Sequence, residues 1–301
     1  MSNISDKQRI ALLADLLAVQ ENAGILPCGA GLIVYHKTIE LRRIPIYEPS
    51  IILILSGRKT IFVHGEPKHF EAGSVIALRP TVLDMMNAID VEGGSFVSLF
   101  IPLEAEWLDR FRTETNISLV QGSIVDGDWK QFESDTNLIE IIRHFLALGQ
   151  VSLSEEISKH RLAEILLYLL QKDSSLFDLF SLQNSWSKKV RMLLEKELSA
   201  SWQIKDVCKR LAVSESTLRR QLTEEGVGFR QILQELRLST AFNQLVFGRQ
   251  SISEVAYDCG YPSIPRFTEN FKKQFGVTPG KLRSTLKNDL IDSDKKLDVI
   301  G

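Results

Sequence analysis

Apolar positions change their period several times along the chain. Residues 4–22 carry Ile10, Leu13, Leu16 and Leu17 at helical spacing, which predicts an amphipathic helix ending near Gly24. From Gly31 to about Pro102 the texture shortens to β-rich runs parted by turn residues: GLIVYHKTIEL, SIILILSG, RKTIFVHG, SVIALRP and SFVSLFIP. Strands at short, regular spacing with Gly and Pro between them predict a β-sandwich or small barrel. The longest apolar run, Ile46 to Leu55, is interrupted by Pro49 and reads as a strand. It falls short of the roughly 18–20 residues that a membrane span needs. Helical periodicity then returns. Leu138, Ile141, Ile142, Phe145 and Leu146 form one stripe, and Ile157 to Leu170 reads as a second, strongly apolar helix. The Ser- and Asp-rich stretch Gln171 to Ser187 breaks the pattern and is the expected interdomain linker. Asn288 to Gly301 reads as a frayed polar tail.

Beyond Ser187 the texture is helical throughout and contains a repeat. IKDVCKRLAVSESTLRRQL (204–222) resembles ISEVAYDCGYPSIPRFTENF (252–271). Ile204 matches Ile252, Val207 matches Val255, Cys208 matches Ala256, and Ala212 matches Gly260. After one inserted residue, Ser214 matches Ser263, Leu218 matches Phe267, and Leu222 matches Phe271. The first small residue of each copy lets two helices pack closely, and the second lets the chain turn between them, as a helix-turn-helix requires. Ser214 and Ser263 stand where an N-cap oxygen opens the second helix. Ser251 and Glu254 form a capping box, and Pro265 falls in a first helical turn, where a missing N–H is tolerated. Between the copies, Phe229 to Phe247 predicts a helix of about five turns, roughly 28 Å long. Such a rod can hold two reading helices about one DNA turn, near 34 Å, apart.

Charge sharpens this picture. The formal net charge is −2, but residues 186–287 hold 18 Lys and Arg against 10 Asp and Glu, leaving 18 basic and 28 acidic residues elsewhere. A basic segment on an acidic chain is the electrostatic pattern expected of a polyanion partner. The 301 residues suggest two domains, at roughly 100–200 residues each, and 44% hydrophobic with 25% charged residues is a soluble globular composition. Met1 to Arg9 is polar, so no secretory signal is expected. Cys28, Cys208 and Cys259 are odd in number and far apart, which fits neither a disulfide framework nor a zinc site. A reducing cytoplasm is the expected compartment.

The segment 187–284, through VSESTLRRQLTEEGVGFRQILQELRL, SISEVAYDCGYPSIPRFTENFKKQFGVTPGKLR and the closing run FKKQFGVTP, resembles the DNA-binding domain of AraC/XylS transcription regulators. The turn TEEG (223–226) is one residue shorter than the commonest form and is similar to a subgroup of enterobacterial virulence and acid-resistance regulators. YEPSIILILSG (47–57) is more loosely similar to the cupin-like sensory halves of such proteins. The resemblance implies an α+β chain: a cupin-like barrel with flanking helices over 1–180, a double helix-turn-helix domain over 187–287, and a tail over 288–301. It further implies that Ser216, Arg219 and Arg220 contact bases or phosphates, with Ser214, Glu215 and Thr217 beside them. The corresponding group in the second unit is Ser263, Ile264, Pro265, Arg266 and Glu269, with Lys272 and Lys273 as phosphate contacts. An arginine can donate bidentately to guanine. The second unit departs from the family: Glu269 stands where many members are basic, and Ile264 and Pro265 where many are polar. That unit is expected to read mainly by shape or by thymine methyl contact. Phe267, Phe271, Phe275 and Tyr261 read as core.

In the first half, Arg43, Tyr47, Arg58, His64 and His69 are candidate pocket residues, with His36 nearby in sequence. His64, His69 and Glu71 hint at a cupin metal site, but the His-x-His core is absent, so neither metal nor cofactor is expected. No nucleophile elbow or phosphate-binding loop is present, and no enzyme is expected. The expected partners are double-stranded DNA, a second copy bound through Leu138, Ile141, Ile142, Phe145 and Leu146, a small-molecule effector and, for an activator, RNA polymerase; no membrane is expected. Control by a protein partner, a cupin-type enzyme and a helical adaptor are the competing readings.

Overall fold

A computed structural model describes residues 4–21, 26–63, 65–89, 94–115, 127–147, 155–180 and 185–286. The chain divides into two compact units, one of residues 1–40, 45–181 and 285–301, the other of residues 41–44 and 182–284.

The first unit begins with α1 (Ile4–Glu21), followed by a 3-10 turn and the strands β1 (Gly31–Tyr35), β2 (Ile39–Ile46), β3 (Ser50–Ser56), β4 (Arg58–Val63), β5 (Glu66–Phe70), β6 (Ser74–Leu78), β7 (Thr81–Ala88) and β8 (Phe96–Pro102). Then come α2 (Ala105–Thr115), β9 (Trp129–Glu133), α3 (Thr136–Ala147), α4 (Glu155–Lys172) and the short α5 (Leu176–Leu179). The strands form two sheets, ordered β1-β8-β3-β6-β9 and β2-β7-β4-β5. No ladder among the described residues closes them into the expected barrel.

Strand alternation assigns the two faces of the larger sheet. Ile51, Leu53 and Leu55 join the helix-side core with Leu12, Leu138, Ile142, Phe145 and Ile165. Ile52 and Ile54 face the opposite way and are also buried, at 3% and 0% exposure. A strand buried on both faces explains why β3 is apolar without alternation.

Several expectations change. The buried side of α1 carries Leu12 and Leu16, with Leu13 partly covered, while Ile10 is 58% exposed. The ends proposed near Gly24 and at 288–301, and the side chain of Leu17, lie outside the described residues. The stripe assigned to a second copy is consumed by the chain's own core: Leu138, Ile142 and Phe145 are fully buried, Leu146 nearly so, and Ile141 packs against them. Neighbouring α1 and α4 account for the apolar width of α3. The boundary between the two units falls inside the expected linker, but the first part of that stretch includes core residues. α4 runs to Lys172, and Leu176, Phe177, Leu179 and Phe180 are buried behind an Asp173 carboxylate that accepts from the Ser175 N–H and hydroxyl. No helix among the described residues is long and apolar enough to cross a membrane.

The second unit holds α6 (Trp186–Glu195), α7 (Ile204–Leu211), α8 (Glu215–Glu224), α9 (Phe229–Phe247), α10 (Ile252–Asp258) and α11 (Ile264–Phe275), and α12 (Pro279–Leu286) follows. α9 has the bounds expected from its apolar periodicity, with glycines at both flanks.

Candidate nucleic-acid interface

The first reader is built by a left-handed turn and a serine cap. α7 ends at Ala212 (φ 54°, ψ 42°), whose N–H donates to the Cys208 carbonyl. Ser214 is extended, and its hydroxyl accepts from the Thr217 N–H at 3.1 Å, opening α8. Leu218 and Leu222 are buried, as is Val207 of the neighbouring α7. With that face fixed, helical geometry leaves Glu215, Ser216, Arg219 and Arg220 exposed. Arg219 donates from Nε and Nη2 to Glu215 Oε1 at 2.9 and 2.6 Å. Arg220 lies 3.8 Å from Glu224. The hydroxyls of Ser216 and Thr217 approach Ser214 Oγ at 2.9 and 2.8 Å.

The second reader uses the same plan with different chemistry. The Ser251 hydroxyl accepts from the Glu254 N–H at 3.2 Å, and the Ser251 N–H donates to the Glu254 carboxylate at 2.7 Å. Those bonds hold the Glu254 carboxyl below its ordinary value. Gly260 makes the left-handed turn at φ 76°. Ser263 then occupies the cap position, but its hydroxyl accepts no cap bond, unlike the expectation. Phe267, Phe271 and Phe275 are fully buried, and Phe242 of α9 lies 6.3 Å from Phe271 and 5.0 Å from Phe275, ring centre to ring centre. Tyr261 is 5.2 Å from Phe267. These rings are core. Pro265, Arg266, Glu269, Lys272 and Lys273 are exposed and Ile264 is half-buried. The two lysines sit in the last turn of α11, where a helix favours positive charge.

One residue absent from the sequence reading ties this unit together. Arg237, in the middle of α9, donates from Nε to the Leu198 carbonyl at 3.1 Å and from Nη2 to the Ala200 carbonyl at 2.8 Å. A Cβ at Gly260 would lie 2.8 Å from the same guanidinium. Arg237 therefore joins the segment before α7, the long helix and the turn of the second reader, and burial lowers its pKa. Beside that segment, a groove of about 480 Å³ is lined by Trp202, Asp206, Lys209 and Arg210, among others. Arg210 stacks over Trp202 at 4.5 Å and reaches Glu197 at 3.4 Å.

The candidate pocket residues from the first half of the sequence are dispersed, and Arg43 falls in the second unit. Arg43 is exposed on β2 with φ 49°, and Tyr47 follows that strand half-buried. Arg58 pairs with Glu71 at 2.6 Å, and the His69 ring contacts the Thr60 hydroxyl at 2.9 Å on paired strands β4 and β5. His36 Nδ1 meets the Ser95 hydroxyl at 2.9 Å. His64 lies outside the described residues. Among the described residues no cluster of His, Cys, Asp and Glu is placed to hold a metal.

Residues 207–285 match the helix-turn-helix domain family, and residues 49–179 match the family of the ExsA N-terminal regulatory domain. The chain is 30% identical over 176 residues to the urease operon transcriptional activator of Escherichia coli, covering 52% of this chain and 60% of that protein. It is 34% identical over 140 residues to the HTH-type transcriptional regulator YdeO of Shigella flexneri, covering 43% and 53%. The matched stretches thus span little more than half the length of these relatives. ToxT from Vibrio cholerae shares the fold, with a TM-score of 0.64 and 17% identity over 86% of this chain and 98% of ToxT. Residues 207–285 thus carry a helix-turn-helix domain, and the chain is similar to AraC-family transcription regulators.

Proposed function

We propose that the second unit binds double-stranded DNA with α8 and α11 in successive major grooves, and that the first unit controls this binding in response to a small molecule. The observation that carries the reading is the outward row Ser216, Arg219 and Arg220, fixed by the buried Leu218 and Leu222 beneath it. In this reading Arg219 and Arg220 meet bases or phosphates, with Ser214, Glu215 and Thr217 at the helix entrance. Ser263, Ile264, Pro265, Arg266 and Glu269 form the second contact set, and Lys272 and Lys273 take phosphates. The working domains are residues 1–180 for sensing and 187–287 for DNA, in a cytoplasmic protein.

The two-sheet first unit serves in this proposal as a cupin-like container. ToxT, which shares its fold, has been solved with an unsaturated fatty acid bound. A second copy of the chain, joined outside the buried α3 stripe, supplies a second pair of readers and raises affinity through effective concentration. RNA polymerase is the further partner if the protein activates.

Selection of duplexes from a random pool by the full chain, followed by a salt titration, tests this reading. A recovered motif and a steep loss of affinity with salt are expected. A helical adaptor for proteins would recover no motif and show no salt slope.

A further inference from the structure

α4 spends only part of its surface on the core of the first unit. Leu162, Ile165, Leu166 and Leu169 face that core. From Ile157 to Gln171 the exposed residues are Ile157, His160, Glu164, Leu167 and Gln171, and every other residue of that span is buried or half-buried. The steps between them alternate three and four residues, the repeat of a helix that packs along a second helix. At 1.5 Å per residue the row runs about 21 Å. Its composition is unlike that of a solvated face. Ile157 is 41% and Leu167 39% exposed, and no lysine or arginine interrupts the row. The cations of α4 stand beside it and are engaged. Lys159 pairs with Glu155 and lies 3.5 Å from Glu104, Lys172 pairs with Asp135, and Arg161 donates to both oxygens of Glu164 at 2.7 and 3.0 Å.

The row is complementary to itself in one direction. Ile157 lies five residues before Leu162 and Leu167 five after it; His160 lies two before and Glu164 two after. A two-fold axis crossing α4 at the level of Leu162 therefore sets Ile157 against Leu167 of a second copy, and His160 against Glu164, on both sides of the axis. An imidazole N–H then meets a carboxylate, and aliphatic side chains form the outer layers. Parallel pairing would instead set each Glu164 against its own counterpart, carboxylate against carboxylate.

We propose that two copies of the chain pair antiparallel through this face of α4, with Ile157–Leu167 layers on either side of two His160–Glu164 contacts. The proposal rests on the reading that a second copy supplies a second pair of DNA readers, and it names the surface that joins them. It also divides the labour between neighbouring helices: the apolar stripe of α3 is used up inside the chain, and α4 carries what is left for a partner. Two aliphatic side chains from each copy and a row of about 21 Å make a small interface, so the pairing is expected to be reversible in the micromolar range.

Sedimentation of the full chain from about 1 to about 200 µM measures the pairing. Ile157→Asp and Leu167→Asp should each raise the dissociation constant at least about tenfold. Their melting temperatures should stay unchanged, because both side chains are already well exposed. His160→Glu sets two carboxylates opposite each other and should weaken pairing; adding Glu164→Lys to it should restore pairing, which a loss of folding would not allow. Cysteines read the register. In a Cys28→Ser background, the double variant Ile157→Cys with Leu167→Cys should form an intermolecular disulfide under mild oxidation. Neither single variant should, since each position lies about 15 Å along the axis from its own counterpart, beyond the reach of a disulfide. Failure of Glu164→Lys to rescue, or efficient disulfides in the single variants, overturns the proposal. A chain that is dimeric and indifferent to Leu167→Asp removes this face while the second-copy reading survives. A chain still monomeric at about 200 µM that nevertheless selects a duplex motif removes both, and leaves the DNA reading standing.

Discussion

Arg219 donates through two nitrogens to a single oxygen of Glu215, one helical turn before it on α8. The side chain proposed to read DNA is therefore drawn back along its own helix. Both partners are well exposed, and such a pair contributes only about 0.2–1 kcal/mol. A bidentate arginine–guanine contact discriminates by about 1–3 kcal/mol, so guanine wins the competition.

Arg219→Ala is accordingly expected to weaken the best duplex by roughly 1–3 kcal/mol and to relax base preference at one position. Glu215→Gln, which removes the competing carboxylate, should tighten binding to all duplexes. Arg266→Ala should alter preference less than Arg219→Ala, because Glu269 and Ile264 leave the second reader little to donate. Binding isotherms over a salt series measure the affinities, and repeated duplex selection measures the preference. Equal affinity of Arg219→Ala and the unaltered chain, or the reverse order of the two arginines, defeats this assignment.

Gly260→Ala should destabilise the second unit by at least about 1–2 kcal/mol, since an alanine at positive φ is strained and its Cβ meets the Arg237 guanidinium. Arg237→Met should lose about 2–4 kcal/mol by stranding the Leu198 and Ala200 carbonyls. Urea unfolding followed by circular dichroism provides the comparison; a Gly260→Ala midpoint equal to that of the unaltered chain would contradict the close packing.

Lys59, on β4, is 2% exposed and predicts a pH dependence with a definite sign. Burial draws its amine down to about 7 in the folded chain, against 10.5 as the reference for the unfolded one. Between these values the unfolded chain binds more protons, so stability rises with pH at up to about 1.4 kcal/mol per unit. The penalty is complete below pH 7 and absent above the unfolded value. Thermal melts from pH 7 to 9.5 should show this slope in the unaltered chain and a shallower one in Lys59→Met; parallel slopes would show that Lys59 is not the group responsible.

Phe145→Ala is expected to cost about 3–5 kcal/mol of folding stability, and Ile142→Asp to unfold the first unit, because both side chains are fully buried. Light scattering combined with melting separates folding from assembly. A folded, soluble Ile142→Asp that merely changes mass would return α3 to the interface between copies.

The second unit was legible because each signal in it is local. Ser251 and Glu254 cap a helix three residues apart, Ala212 and Gly260 mark turns, and apolar periodicity bounded α9. The first unit hid more. β5 is EPKHF, an edge strand with only Phe70 buried, and its Pro67 reads as a breaker although an edge tolerates proline. β9 has only Phe132 buried and gains its identity from pairing with β6, far away in sequence. Apolar width alone did not reveal whether α3 faces its own core or a second copy. Nothing local in the sequence marks Arg237 or Lys59, because the carbonyls that receive one and the sheet that encloses the other are assembled only in the fold.

The continuity of α9 has a consequence for how an operator can vary. In the proposed binding mode the helix works as a gear and not as a tether. Each residue inserted into it turns one reader about 100° against the other and advances it about 1.5 Å. A base pair inserted between the half-sites turns the duplex by only about 34° while advancing it about 3.4 Å. No small whole number of base pairs reproduces both movements, so spacer changes in protein and DNA cannot offset each other. Half-site spacing should therefore be fixed across all targets of this chain, with variation confined to the bases themselves.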